Sequence, residues 1–206
     1  MDDDVVRRGK PSTHVKFGES TAVLAGNSLQ TMACEILANP VLTIKEKTKV
    51  SLIKKLSECS GHLGIAGGQY LDLNYEKKKV SKSKIIEMEK KKTGKLFSFC
   101  CAAPAIIKNK STKEIKFFEN IGLNIGLLFQ IADDLIDFKG DSKKAGKKTG
   151  KDKQKGKATL ISLLGYNNAV KYCKNIIIEI EKNLKRYGKN SKNITETLNY
   201  ILIRDK

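Results

Sequence analysis

The sequence predicts an all-α fold, and three observations carry that reading. Apolar residues recur at helical spacing along almost the whole chain, while the alternation of a half-buried strand is almost absent. Two S/T-x-x-E patterns, Thr43 to Glu46 and Ser111 to Glu114, have the form of capping boxes that open helices. Only three prolines and no tryptophan accompany a hydrophobic content of 40%, which suits a helical core with few rigid turns. At 206 residues the chain can build one core or at most two small ones. Neither an internal repeat nor a second-domain linker is visible, so residues 1–206 read as a single domain.

The elements follow in order. Residues 19–38 form an apolar helix in which Ala22, Ala25, Gly26 and Ala33 permit close packing, and Asn39-Pro40 ends it. The Thr43 box opens a helix running to about Gly67-Gly68, where paired glycines allow a break or the close approach of another backbone. Ser81 to Lys92 is a short helix ending in three lysines, and Thr93-Gly94 marks a kink before the apolar helix of residues 95–108. The Ser111 box opens the longest helix, about 112–139, with Gly122 and Gly126 on a flat side one turn above Gln130. Residues 140–157 are too rich in Gly and Lys to bury a core, and read as a mobile loop, either a phosphate lid or a surface linker. Residues 159–165, 167–187 and 193–206 read as closing helices.

The chemistry concentrates at Phe129-Gln130-Ile131-Ala132-Asp133-Asp134-Leu135-Ile136-Asp137. At about 100° per residue, Asp133 and Asp137 share a helix face one turn apart, Asp134 lies beside them, and Gln130 lies one turn before. Acids in an apolar helix destabilise it unless a cation or strong donors compensate. Mg²⁺ takes carboxylate oxygens and shares them with substrate phosphates. A DDxxD pattern alone also fits a solvent-facing helix. A second cluster, Asp2-Asp3-Asp4, followed by Arg7-Arg8-Gly9-Lys10-Pro11, strengthens the metal–diphosphate reading, because Arg forks onto phosphate oxygens and Lys supplies point charge.

Composition narrows the alternatives. The net charge of +18 raises nucleic acid, anionic membrane and phosphate-rich substrates as partners. Only four of the forty basic residues are arginines, aromatics are not interleaved with the lysines, and no nucleic-acid module is recognisable; most of the charge reads as a solvated surface. Five cysteines without a CxxC fit neither a disulfide framework nor a zinc site, and point to a reducing, cytoplasmic setting. The acidic start does not read as a signal peptide, and no apolar run approaches the ~18 residues of a membrane span. His14 and His62 read as structural or surface residues.

Taken together, the ordered pieces resemble the trans-polyprenyl diphosphate synthases of the bacterial farnesyl/geranylgeranyl type. The matching pieces are MDDD..RRGKP at 1–11, FGE at 17–19, LAG at 24–26, AGGQYLDL at 66–73, KTG at 92–94, FQIADDLID at 129–137, GK at 146–147, KGKAT at 155–159 and the ending from Tyr200. The resemblance covers essentially the whole chain. It implies an isoprenoid-synthase-type helical bundle around a central cavity, with the acids and Arg7/Arg8 on facing helices. It departs in one respect: the family's first motif is DDxxxxD, and here only its last acid stands, as Asp2. The chain is therefore expected to lack the family's N-terminal helices, either through a misplaced start or a true truncation.

The resemblance also implies roles. Asp2, Asp133, Asp134 and Asp137 are Mg²⁺ ligands, directly or through water. Arg7 contacts the allylic diphosphate and Arg8 the diphosphate of isopentenyl diphosphate. Lys92, Thr93, Gln130, Lys147 and Lys157 surround the allylic diphosphate, and Lys92, Thr93 and Gln130 serve catalysis. The expected activity is prenyl transfer from geranyl diphosphate to isopentenyl diphosphate by a homodimer, with no nucleic-acid partner and no stable membrane insertion. The alternatives are a geranylgeranyl or longer-chain synthase, and a non-catalytic truncated relative. Loss of two first-motif aspartates favours the last; retention of RRG, KTG and DDxxD favours the enzyme. Asp3, Asp4 and Asp72 match no ligand role.

Overall fold

The computed structural model describes residues 3–139 and 156–204. Asp2, Lys147 and the expected loop over residues 140–155 lie outside the described residues.

The chain opens on a hairpin that helical periodicity does not announce. Val6–Arg7 (β1) and Lys10–Pro11 (β2) pair antiparallel, with Val6 opposite Pro11. Arg8 and Gly9 join them, both at positive φ (52° and 73°), as two-residue hairpin turns of the primed class require. Arg7 and Arg8 therefore sit on a small ribbon and not on a helix. A short helix α1 (Thr13–Phe17) follows, then α2 (Glu19–Ala38), whose bounds match the sequence expectation. No residue of α2 is buried. Its main contacts are with α1 and α3, and Val23, Leu24, Leu29, Met32 and Ile36 are exposed along it.

The next stretch corrects two expectations. Helix α3 (Glu46–Ser60) has Lys45 as its N-cap with no side-chain cap, so the Thr43 box does not form. Glu46 does not reach back; it receives the ammonium of buried Lys49 at 3.0 Å. The helix also stops at Gly61 instead of reaching Gly67-Gly68. Those glycines lie inside a separate helix, α4 (Ile65–Tyr75).

From Lys82 the chain is helical without interruption to Ile107, in three parts. These are α5 (Lys82–Glu89), a π-helical turn (Lys90–Gly94) and α6 (Lys95–Ile107). The expected kink at Thr93-Gly94 is this wider turn, a device common at functional sites. Helix α7 (Thr112–Lys139) is capped as the sequence predicts, with the Glu114 N–H donating to Ser111 Oγ at 3.2 Å. The chain closes with α8 (Leu160–Leu164), α9 (Tyr166–Leu184), a 3₁₀ segment (Lys185–Ser191) and α10 (Lys192–Ile203).

Helix α7 is the axis of the packing. The π turn and helices α5, α6, α8, α9 and α10 all contact it, while α3 packs behind α6 and α4 packs on the π turn. Its residues Ile121, Ile125, Leu128, Ile131 and Leu135 join Leu160, Cys173, Ile180, Leu184 and Leu198 in one contiguous core. Each such fully buried aliphatic side chain stabilises by roughly 1.5–3 kcal/mol. A helix buried over most of its circumference has little room for charge, yet Asp134 and Asp137 are both buried on α7.

Two glycine contacts set how close the layers come. A Cβ on Gly126 would collide with Gly94 Cα and stand 3.0 Å from Gly94 N, so the π turn lies directly on α7. A Cβ on Gly68 would collide with the Lys92 backbone, so α4 presses the same turn from the other side.

Candidate active site

The compression places functional groups at both surfaces of the π turn. On the α7 side, Thr93 Oγ1 donates to Gln130 Oε1 at 2.7 Å, and Gln130 Nε2 donates to Asp134 Oδ1 at 2.9 Å. Three residues predicted from the sequence thus form one hydrogen-bonded line from the turn to the acid cluster. On the α4 side, Lys92 Nζ donates to Asp72 Oδ2 at 2.6 Å, and Lys157 Nζ reaches the same oxygen at 3.3 Å.

Lys157 arrives from 85 residues away, and its approach is fixed locally. The Lys77 N–H donates to Gly156 O at 2.8 Å. Two residues past Lys157, Thr159 forms a reciprocal capping box with Ser162 at the start of α8. The KGKAT stretch is therefore pinned on both sides of its lysine.

Asp133 is the most accessible of the three aspartates on α7; Asp134 and Asp137 are only 7% and 8% exposed. Arg204, just past α10, stacks its guanidinium 4.0 Å from the Phe129 ring centroid and brings Nη2 within 3.7 Å of Asp133 Oδ1. Its Nε and Nη2 are buried without a hydrogen-bond partner among the described residues. Burial pulls Arg204 below the ordinary guanidinium range, against the opposing charge of Asp133. Arg204 thus stands as a counter-charge at the Asp133 end of the carboxylate row.

Glu89 lies at the entry to the π turn, 2% exposed, with neither carboxyl oxygen in good hydrogen-bond geometry among the described residues. Burial pushes its carboxyl well above the ordinary carboxylate range, and the charges of Asp134 and Asp72 push the same way. The nearby Leu160 amide and Lys92 oppose the shift.

The structure thus gathers Lys92, Thr93, Gln130, Asp133, Asp134 and Lys157 around the π turn and the adjoining wall of α7, with Asp137 one turn beyond Asp133. It does not join Arg7 or Arg8 to them. Both are exposed on the hairpin, and among the described residues no ion pair links them to the acids. Sequence reasoning passed over Asp72, Glu89, Gln69 and Arg204. Asp72 and Gln69 stood in the AGGQYLDL match without a role, and Gln69 Nε2 is buried and unpartnered among the described residues. Glu89 was hidden in an ordinary charged run.

Among the described residues no three acidic, His or Cys side chains converge tightly enough to hold a metal by themselves. The donors nevertheless fit Mg²⁺, which commonly takes one or two carboxylates and completes its octahedron with water and substrate phosphate. Asp133 and Asp137, one turn apart on α7, supply hard oxygens of this type.

A family model described as polyprenyl synthetase matches residues 1–201. The chain is 37% identical over 211 aligned residues to the farnesyl diphosphate synthase of Escherichia coli (strain K12), spanning 100% of this chain and 71% of that protein. Among solved structures, an FPP/GFPP synthase from Zymomonas mobilis matches with a TM-score of 0.85 at 35% identity, over 98% of this chain and 68% of that one. A geranyltransferase from Helicobacter pylori, complexed with magnesium and isoprenyl diphosphate, matches with a TM-score of 0.84 at 32% identity, over 98% and 66%. The chain therefore spans about two thirds of the length of these relatives.

Glu89 generates a prediction for stability. Its folded-state pKa is raised, so above the unfolded carboxylate range (about 4) the folded chain holds a proton that the unfolded chain has released. Stability then falls as pH rises towards the folded pKa. Glu89→Gln removes this dependence. In metal-free melts from pH 4 to pH 8, the melting temperature of the variant should rise relative to wild type as pH increases. Parallel pH profiles would show that Glu89 ionises normally in the folded chain.

Proposed function

The chain belongs to the polyprenyl synthetase family, and on that premise we propose that it is a Mg²⁺-dependent trans-prenyltransferase. It condenses isopentenyl diphosphate with an allylic diphosphate, taking geranyl diphosphate to farnesyl diphosphate in isoprenoid biosynthesis. The observation that carries the proposal is the pair of lysines gathered beside the Thr93–Gln130–Asp134 line. Cations for a diphosphate and oxygens for a carbocation lie on two sides of one turn.

In the reaction, the allylic C1–O bond breaks heterolytically, the alkene of isopentenyl diphosphate attacks the cation at C1, and a proton is lost from the new adduct. Inorganic diphosphate is the leaving group. Mg²⁺ supplies neutralisation of the charge that gathers on that group. Lys92 and Lys157 contribute fixed positive charge to the same end, which is strongest where water is excluded. Thr93 spends its hydroxyl proton on Gln130, which leaves its oxygen lone pairs for the allylic cation. Gln130 is held by Asp134, so its own oxygen is oriented before substrate arrives. Arg7 and Arg8 are assigned to the two diphosphates, and Asp2 and Lys147 to the metal and the allylic diphosphate, by family resemblance.

The whole chain is read as a single domain, placed in the cytoplasm. Its five cysteines are free thiols, and no helix among the described residues is long and apolar enough to cross a membrane. The second reading, a longer-chain synthase, is favoured by the likeness to the FPP/GFPP synthase.

The proposal includes a homodimer in which a second copy covers the apolar face of α2. Light scattering should give twice the chain mass, reduced to the chain mass by Leu29→Glu; a monomeric wild type would exclude it.

The chemistry is tested by supplying geranyl and isopentenyl diphosphates with Mg²⁺ and identifying the prenyl products. Farnesyl diphosphate supports the main reading, and geranylgeranyl or longer products the second. Asp133→Ala should lower turnover by about three orders of magnitude, the equivalent of about 4 kcal/mol of lost leaving-group stabilisation, without changing the melt. Near-normal turnover at saturating Mg²⁺ would remove Asp133 from the site.

A further inference from the structure

We propose that Asp72 is a positioning residue for the diphosphate, holding the ammonium groups of Lys92 and Lys157 side by side so that one diphosphate accepts from both. The inference rests on the prenyl-transfer reading of this site and adds to it a residue that makes no contact with the reacting atoms.

The geometry carries it. Asp72 is 5% exposed, and a single oxygen, Oδ2, receives both lysines, at 2.6 Å and 3.3 Å. The two cations come from unrelated parts of the chain, one from the π turn and one from the strap before α8. The two ammonium groups repel one another, and each is carried on a flexible four-carbon stem. Asp72 stands four residues after Gly68 on α4, hence on the same helix face, and Gly68 is where α4 meets the Lys92 backbone. The backbone contact that lays α4 on the π turn thus also sets Asp72 against the lysine of that turn. On the other side, the Gly156–Lys77 hydrogen bond and the Thr159 cap hold the strap. The lysine heads are ordered before any ligand arrives, which reduces the entropy lost on binding.

A carboxylate near an anion site also repels the anion, and this separates two accounts by sign. If Asp72 acts only as a counter-charge, Asp72→Asn raises the net positive charge and tightens diphosphate binding. If Asp72 positions the lysines, the same change weakens binding although the site becomes more cationic.

The test is calorimetric titration of the full chain with inorganic diphosphate in Mg²⁺ buffer, each variant checked by its melting curve. Asp72→Asn should weaken binding about tenfold or more, through loss of the pre-ordered lysine pair. Asp72→Glu, which keeps the charge but displaces it by one methylene, should weaken it by a smaller factor, and decides the question alone if the Asn variant does not fold. In a Lys157→Met background Asp72→Asn should have a smaller effect, which a general loosening of the fold would not produce. Lys92→Ala is the control. If it leaves diphosphate affinity unchanged, the site reading fails and the inference with it. If Lys92→Ala weakens binding while Asp72→Asn tightens it or leaves it unchanged, the site reading stands and the positioning role is overturned.

Discussion

The close approach of backbone to backbone at the π-helical turn is the constraint on which the site depends. Gly68 lets α4 rest on Lys92 from one side, and Gly126 lets α7 rest on Gly94 from the other. Between these contacts the wider turn directs successive side chains, Lys92 and Thr93, to different partners: Asp72 on α4 and Gln130 on α7. A regular α-helix in the same place would carry one residue fewer through the turn. Because the contacts are backbone to backbone, the geometry does not rest on the rotamers of long side chains, and the lysines inherit it.

Electrostatics pull the other way, and the site is built from that tension. Buried acids on an apolar helix oppose folding unless each is answered. Asp134 is answered by the Gln130 amide, Asp133 has Arg204 at 3.7 Å, and Asp72 is shared by two lysines. Glu89 has no comparable partner among the described residues, and burial drives it towards the neutral acid. Each answering cation also suits a diphosphate. The same groups that make the buried acids tolerable make the site receptive to a ligand richer in negative charge than the carboxylates.

Much of this was legible in the residues. The apolar period fixed α2 and α7, Ser111 marked the start of α7, and the spacing of Gln130, Asp133, Asp134 and Asp137 placed them along one wall. Gly122 and Gly126 announced a flat side, and packing used it. What was not legible depends on tertiary choice. Thr43 and Glu46 had the form of a box, but buried Lys49 claimed Glu46. Gly67-Gly68 signalled close approach correctly and a helix end wrongly, because the break fell at Gly61. The hairpin at Val6–Pro11 is too short for a period-2 signal. Asp72 looked like one acid among many; only the fold brings Lys92 and Lys157, 20 and 85 residues away, to the same oxygen.

The claim that backbone compression at the π turn creates the diphosphate site is tested most directly by adding one methyl group. Gly126→Ala would place a Cβ against Gly94, whereas Gly26→Ala, in open space on α2, meets nothing within 4 Å. Calorimetry with Mg²⁺ and inorganic diphosphate, at a temperature where both variants keep wild-type helical circular dichroism, compares them. Gly126→Ala should weaken diphosphate binding at least about tenfold, by displacing groups that bind best when held in place beforehand, while Gly26→Ala leaves it unchanged. Equal, wild-type affinity in both would contradict it.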